Sequence, residues 1–249
     1  MLGGLYALGR GVDVDLKLAA YWFEKAAKQG HPRAQYFLGG AYALGHGVPQ
    51  DDRQAVYWYQ KAAAQNDPIA QTDLAECYQR GWGVARDLPK AIYWYTQAAN
   101  QNDTKAQMRM GLYYMCGQRL EVGLEKDCTD GDRIWRNRDD KNDPLALSWF
   151  LKAANLGDPT GQFMASMMYA AGRGALRNAT ESLRWARASA EKGYKGGMEM
   201  LGAAYEQGAL GLPKDPKMAA YWYDKAKAAE KIEPGDISDV GVKMQKTTN

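Results

Sequence analysis

Histidine and cysteine are scarce in this chain, with two and three among 249 residues. Two imidazoles leave little for proton transfer near neutral pH, where histidine is the side chain most ready to titrate. Three cysteines without paired short spacings make neither a zinc site nor a disulfide-built miniprotein. Long apolar runs are missing too. Gly, Arg or Asn interrupts each one before it reaches the roughly 18 residues of a membrane helix. A large charge of one sign is also absent: 32 basic and 29 acidic side chains leave +3, too little to make nucleic acid a default partner. What the chain has is core, with 46% hydrophobic and 24% charged residues, the balance of a globular protein.

The core residues recur at a fixed period, which decides the architecture. Trp22, Trp58 and Trp94 are 36 residues apart, Trp94 and Trp149 are 55 apart, and Trp149, Trp185 and Trp222 follow at 36 and 37. Six repeats result: 1–33, 34–69, 70–105, 106–160 with a 19-residue insertion, 161–196 and 197–233, followed by a tail at 234–249. Ala34, Leu38 and Tyr42 recur with helical spacing, as do Ala55, Trp58, Tyr59, Ala62 and Ala63, so each repeat is two amphipathic helices. Asp67-Pro68 and Asp158-Pro159 mark starts of the first helix, and Asp143-Pro144 and Asp215-Pro216 of the second. Gly45, Gly81, Gly117, Gly172 and Gly208 end the first helix; Gly30, Asn66, Asn102, Gly157 and Gly193 end the second. One pair cannot bury both apolar faces. The pairs must therefore stack into an all-α, right-handed, tetratricopeptide-like solenoid, with the register tryptophans as core.

Leu38-Gly39-x-x-Tyr42, Gly45-x-Gly47-Val48 and Trp58-Tyr59-x-Lys61-Ala62-Ala63 resemble the Sel-one-like repeat family over nearly the whole chain. The fifth repeat departs most, with Ser182, Ala186 and Ser189 in place of Ala, an aromatic and Ala. The resemblance implies a protein-binding role without catalysis. Bacterial members of the family serve as envelope scaffolds, signalling regulators, host-interaction factors and immunity proteins that neutralise effectors such as phospholipases of type VI secretion. The immunity role fits a small member with an elaborated loop best. An envelope assembly or signalling adaptor is one alternative, and a penicillin-binding serine hydrolase acting through Ser189 is another.

Candidate catalytic groups are few. His31 lies in an inter-repeat turn and His46 between two loop glycines, both expected to be exposed, variable positions. Ser189-Ala190-Glu191-Lys192 matches the Ser-x-x-Lys form of penicillin-binding enzymes, but Ser189 occupies a slot filled elsewhere by Ala62 and Ala98. No Ser-Asp-Asn or Lys-Thr-Gly partner accompanies it. The glycine pairs follow helices rather than strands and form turns, not phosphate loops. No metal and no cofactor is implied.

The variable side of the first helix is the candidate binding surface, since first helices line the concave face in related solenoids. Its residues are Tyr36, Phe37, Asp73, Glu76 and Arg80, then Met108, Arg109, Leu112 and Met115, then Phe163, Met164 and Met167, with Trp82 and Trp135 as tryptophans outside the core register. Adaptable methionines beside charge suit recognition of another protein, although they equally suit the contact between repeats. The insertion, between Gln118 and Asn142, closes a cysteine pair, Cys116 and Cys128. A disulfide there would add about 3 kcal/mol by restricting the unfolded chain and would imply an oxidising compartment. Cys77 takes a packed slot and reads as an inert core thiol. The chain opens inside a first helix at Leu2-Gly3, which with the cysteine pair points to a removed leader and a bacterial periplasmic location, the cytoplasm being the alternative.

Overall fold

The computed structural model describes residues 2–116 and 142–231. Cys128, Trp135, Gly117 and the tail from Pro234 lie outside them. Among the described residues there are twelve α-helices and no strand: α1 (Leu2–Leu8), α2 (Leu16–Lys28), α3 (Pro32–Leu44), α4 (Asp52–Ala63), α5 (Pro68–Arg80), α6 (Leu88–Asn100), α7 (Thr104–Cys116), α8 (Asp143–Asn155), α9 (Pro159–Ala171), α10 (Ala179–Glu191), α11 (Lys195–Gln207) and α12 (Pro216–Lys231). Odd-numbered helices are the first of each repeat and even-numbered the second. The helices fall into two compact units, residues 2–110 and residues 111–116 with 142–231.

The helix ends follow the local chemistry. Asp67 and Asp158 accept first-turn N–H groups from Ala70 and Gly161 at 2.9 and 2.6 Å. At α8 the cap is Asn142, one residue before the expected Asp143; its side chain accepts from Leu145 N at 3.0 Å, and Asp143 is already helical. Gly45 and Gly81 close α3 and α5 at φ +71° and +77°. Asn66 and Asn102 take the same left-handed conformation after α4 and α6.

Packing between the helices of a repeat depends on a small residue on the first and an aromatic on the second. A Cβ added to Gly39 would lie 2.6 Å from the Tyr59 ring and 3.2 Å from the Ala55 carbonyl. Gly3 faces Phe23 in the same way, and Gly111 faces Phe150. In the first four repeats the deepest aromatic is therefore the residue after the register tryptophan. Phe23, Tyr59, Tyr95 and Phe150 are buried, whereas Trp22, Trp58, Trp94 and Trp222 are half-buried, and of the six register tryptophans only Trp149 and Trp185 reach the interior. This corrects the expectation that all six form the core. In the fifth repeat Ser166 stands in the glycine slot and Ala186 in the aromatic slot. The two changes compensate in volume, and the Ser166 hydroxyl donates to the Ser182 carbonyl at 2.7 Å.

From the first repeat to the fifth, adjacent repeats are joined by glutamine; Met198 takes its place in the sixth. Gln35 and Gln71, both buried, donate Nε2 to the Ala27 and Ala63 carbonyls at 3.1 Å, reaching back to the last turn of the preceding helix. Their Oε1 atoms accept from Gln65 and Gln101 at 2.7 and 2.9 Å. Gln107 and Gln162 make the same backward bond, to Ala99 and Ala154 at 3.0 and 3.2 Å. Among the described residues their Oε1 atoms have no hydrogen-bond partner. The residues at the Gln65 and Gln101 position are here Leu156, which cannot donate, and Lys192, whose Nζ goes to the Gly157 carbonyl at 2.6 Å.

Tyr59→Ala should cost about 3 to 5 kcal/mol as a core truncation and more than Trp58→Ala. Urea unfolding of the two variants checks this, and the reverse order would return the tryptophan to the centre of the core.

Candidate functional site

The first helices of the first unit carry a continuous polar network. Arg33 Nη1 lies 3.3 Å from Asp67 Oδ2, and its guanidinium sits 5.3 and 5.4 Å from the Tyr36 and Phe37 ring centroids. The Tyr36 hydroxyl meets the Asp73 carboxylate. Lys105 Nζ bridges two acids, at 3.3 Å from Asp73 Oδ1 and 3.1 Å from Glu76 Oε2. Glu76 Oε1 is also 2.8 Å from Arg109 Nη2. Residues of α3, α5 and α7, thirty or so positions apart in sequence, are thus tied side by side. Thr72 adds a hydrogen bond to Asp103 at 3.0 Å, next to the cap that Asp103 makes on Ala106 N at 2.7 Å.

Two carboxylates sharing one ammonium do not titrate alike. Burial pushes Asp73 up to about 6, against the pull of Lys105, with Glu76 adding to the rise. Burial pushes Glu76 in the same direction, but Lys105 and Arg109 together outweigh it and hold Glu76 below its ordinary value. Burial, with the charge of Asp73, raises the Tyr36 and Tyr59 hydroxyls and lifts the Cys77 thiol to about 12, so Cys77 stays protonated.

The expected site residues separate into several kinds. Asp73, Glu76 and Arg109 belong to this half-buried network, and Tyr36 and Phe37 are half-buried beside it. Arg80 and Trp82 are the exposed pair: the indole is 48% exposed and the guanidinium lies 4.9 Å from its ring centroid. Met108, in the same unit, and Leu112, Phe163 and Met167, in the second, are half-buried. Met115 and Met164 are 1% and 7% exposed, which corrects their assignment to a partner surface. They fill the interior, as Met110 and Met168 do, because thioethers fit irregular gaps between helices. Cys116 is buried and disulfide-bonded, while Cys128 lies outside the described residues, as does Trp135.

Two network residues, Arg33 and Lys105, lie at a position of the variable first-helix side that the sequence marks as candidate surface, but were not singled out there. They share one repeat position, occupied by Ile69 in between, and their charge opposite Asp67 and Glu76 was the available signal. His31 is exposed as expected, whereas His46 is half-buried with its Nδ1 enclosed. Ser189 is fully buried and donates to the Pro159 carbonyl at 2.7 Å, with Gly197 opposite making room for it. That hydroxyl is not offered to a substrate. Among the described residues no helix is long and apolar enough to cross a membrane.

The Sel1 repeat model matches residues 1–31, 32–67, 68–103, 104–129, 139–158, 159–194 and 196–230, seven segments of which the fourth and fifth flank the middle of the insertion. A Sel1 repeat protein from Oxalobacter formigenes is 34% identical, with 92% of this chain and 85% of that one covered and a TM-score of 0.76. The antigen c5321 of uropathogenic Escherichia coli, which displays an SLR fold, is 30% identical over 91% of this chain, with a TM-score of 0.64; this chain covers 52% of its length. The immunity protein PA5088 from Pseudomonas aeruginosa shares the fold at 18% identity and a TM-score of 0.51, with 84% of this chain and 73% of that one covered. No curated protein matches significantly.

The network gives stability a definite dependence on pH. Asp73 holds its proton more tightly folded than unfolded, so its contribution is greatest below its ordinary 3.8 and declines as pH rises through about 6. Glu76 works in the opposite sense, stabilising above its ordinary 4.5 and losing that contribution as pH falls through its lowered native value. Asp73→Asn should remove the decline between pH 4 and 6 and leave the acid-side loss in place. Urea midpoints at four pH values test this, and an unaltered decline would contradict it.

Proposed function

Because the chain belongs to the Sel1 repeat family, we propose that its protein-interaction fold serves as an immunity protein, which binds one toxic effector and blocks it without catalysis of its own. The carrying observation is how the residues divide. Recurrent positions such as Ala34, Gln35, Leu38, Gly39 and Tyr59 are consumed by packing within and between repeats. Of the positions that vary, Arg33, Arg80 and Trp82 remain exposed on α3, α5 and the turn after α5, with Tyr36 half-buried beside them. Trp82 is exposed with the Arg80 guanidinium over its ring, and tryptophan and arginine are among the residues that most often carry the binding energy of protein interfaces.

The effector class is a secreted enzyme such as a phospholipase of type VI secretion. Supporting this are the fold shared with PA5088 and the immunity role of some proteins of this family. The disulfide-bonded Cys116 supports an oxidising compartment, the bacterial periplasm. The enclosed Ser189 hydroxyl supports a role other than that of a penicillin-binding hydrolase.

Affinity capture from host lysate with the full chain as bait, followed by a one-to-one titration, tests the proposal. The expected result is one stoichiometric nanomolar partner whose toxic activity falls on binding. Trp82→Ala and Arg33→Glu should each weaken that complex at least tenfold, a loss of about 1.4 kcal/mol or more, with the helical circular dichroism unchanged. Several weak partners instead would make the chain an assembly or signalling adaptor.

A further inference from the structure

The second helices of the first unit put one tyrosine each on the surface. Tyr21, Tyr57 and Tyr93 are 46%, 47% and 55% exposed and hold the same position in α2, α4 and α6. Each ring is set edge-on to the tryptophan that follows it, at 5.4, 5.0 and 5.0 Å between centroids. The tyrosines are therefore rigid apolar plates, held in place by the repeat, at positions the helix packing does not require to be aromatic. The same slot holds Ser148 in α8 and Arg184 in α10.

Their surroundings are basic. Helices α2, α4 and α6 contain Lys17, Lys25, Lys28, Arg53, Lys61 and Lys90 against Glu24 and Asp52, while their N-cap aspartates Asp15, Asp51 and Asp87 turn their carboxylates onto first-turn N–H groups. Glu24 is already bound to Lys28 at 2.6 Å, and Lys90 to Asp87 at 2.8 Å. Tyr21 lies between Lys17 and Lys25, and Tyr57 between Arg53 and Lys61, four residues to either side and so on the same helical stripe. Lys25 and Lys61 reach back over the tyrosine rings, 4.7 and 5.6 Å from their centroids.

We propose that this second-helix face binds an acidic segment of a partner protein, whose carboxylates meet the four cations and whose apolar side chains rest on the tyrosine edges. The surface lies on different helices from the residues of the immunity interface and is independent of that reading. Charge complementarity decides the sign of the partner, and ring geometry decides its class. A single-stranded nucleic acid stacks its bases on open aromatic faces, and here two of the three faces carry a lysine ammonium. Ammonium groups and tyrosine hydroxyls side by side supply hydrogen-bond donors for carboxylates instead.

The test titrates a fluorescein-labelled peptide of repeating Glu-Glu-Leu against the full chain, with fluorescence anisotropy as the readout. It is repeated with the Lys25→Glu, Lys61→Glu double variant, with the Tyr57→Ser, Tyr93→Ser double variant, and with an oligothymidylate of equal charge. Saturable peptide binding, weakened at least tenfold in both variants at unchanged circular dichroism, is expected. Absence of saturable binding overturns the proposal, and so does tighter binding of the oligothymidylate. Loss in the lysine variant with a folded tyrosine variant binding normally also overturns it, since charge alone would then account for the affinity. Should the tyrosine variant unfold, Tyr93→Gln alone, at the position without a lysine cover, takes its place under the same criterion.

Discussion

A two-helix repeat has more apolar surface than it can bury by itself, and the contact that resolves this is the backward reach of each first helix onto the preceding repeat. Gln35, Gln71, Gln107 and Gln162 each donate into the last carbonyls of the helix before them. A buried amide is expensive unless bonded, so this interaction fixes the register between repeats as well as holding them together. Within the repeat, a glycine or small residue against an aromatic brings the two helices close enough for that reach. Where one side of the pair changes, as at Ser166 and Ala186, the other changes with it.

This constraint also places the surface chemistry. Once the repeats are in register, equivalent positions of successive first helices become neighbours, and side chains far apart in sequence can pair. Arg33 with Asp67, and Lys105 with Asp73 and Glu76, are such pairs. Lys105, Asp73 and Glu76 are half-buried, so their charges cannot be treated as a solvated face; removing one partner leaves another poorly compensated. The network gives the first-helix surface a fixed shape on which the exposed Arg80 and Trp82 are presented. On the proposed reading, a binding surface prepared in this way would lose little conformational entropy on association.

The architecture was legible because it repeats. A period of 36 residues made the helices, their aspartate caps and their glycine or asparagine stops readable from single positions such as Asp67, Gly45 and Asn66. The depth of burial was less legible. Trp58 and Tyr59 are adjacent, both at positions that are aromatic in most repeats, and only the close approach at Gly39 determines which goes deeper. The candidate site was readable where a residue both varies and protrudes, as Trp82 does. It misled at Met115 and Met164, because a methionine that fills a core gap and one that meets a partner look the same in sequence. Arg33 and Lys105 were hard to single out because pairing across repeats depends on the stacking.

The most direct measurement is a saturation scan of α3, α5 and the turn after α5, with each variant read twice, for folded yield and for retention of the captured partner. The predicted result is a clean division. Changes at Gln35, Leu38, Gly39 and Gln71 lower both readouts together, while changes at exposed or half-exposed Arg33, Arg80 and Trp82 lower retention at full folded yield. If the latter positions unfold the chain as the former do, or leave retention intact, the separation of packing residues from recognition residues is wrong.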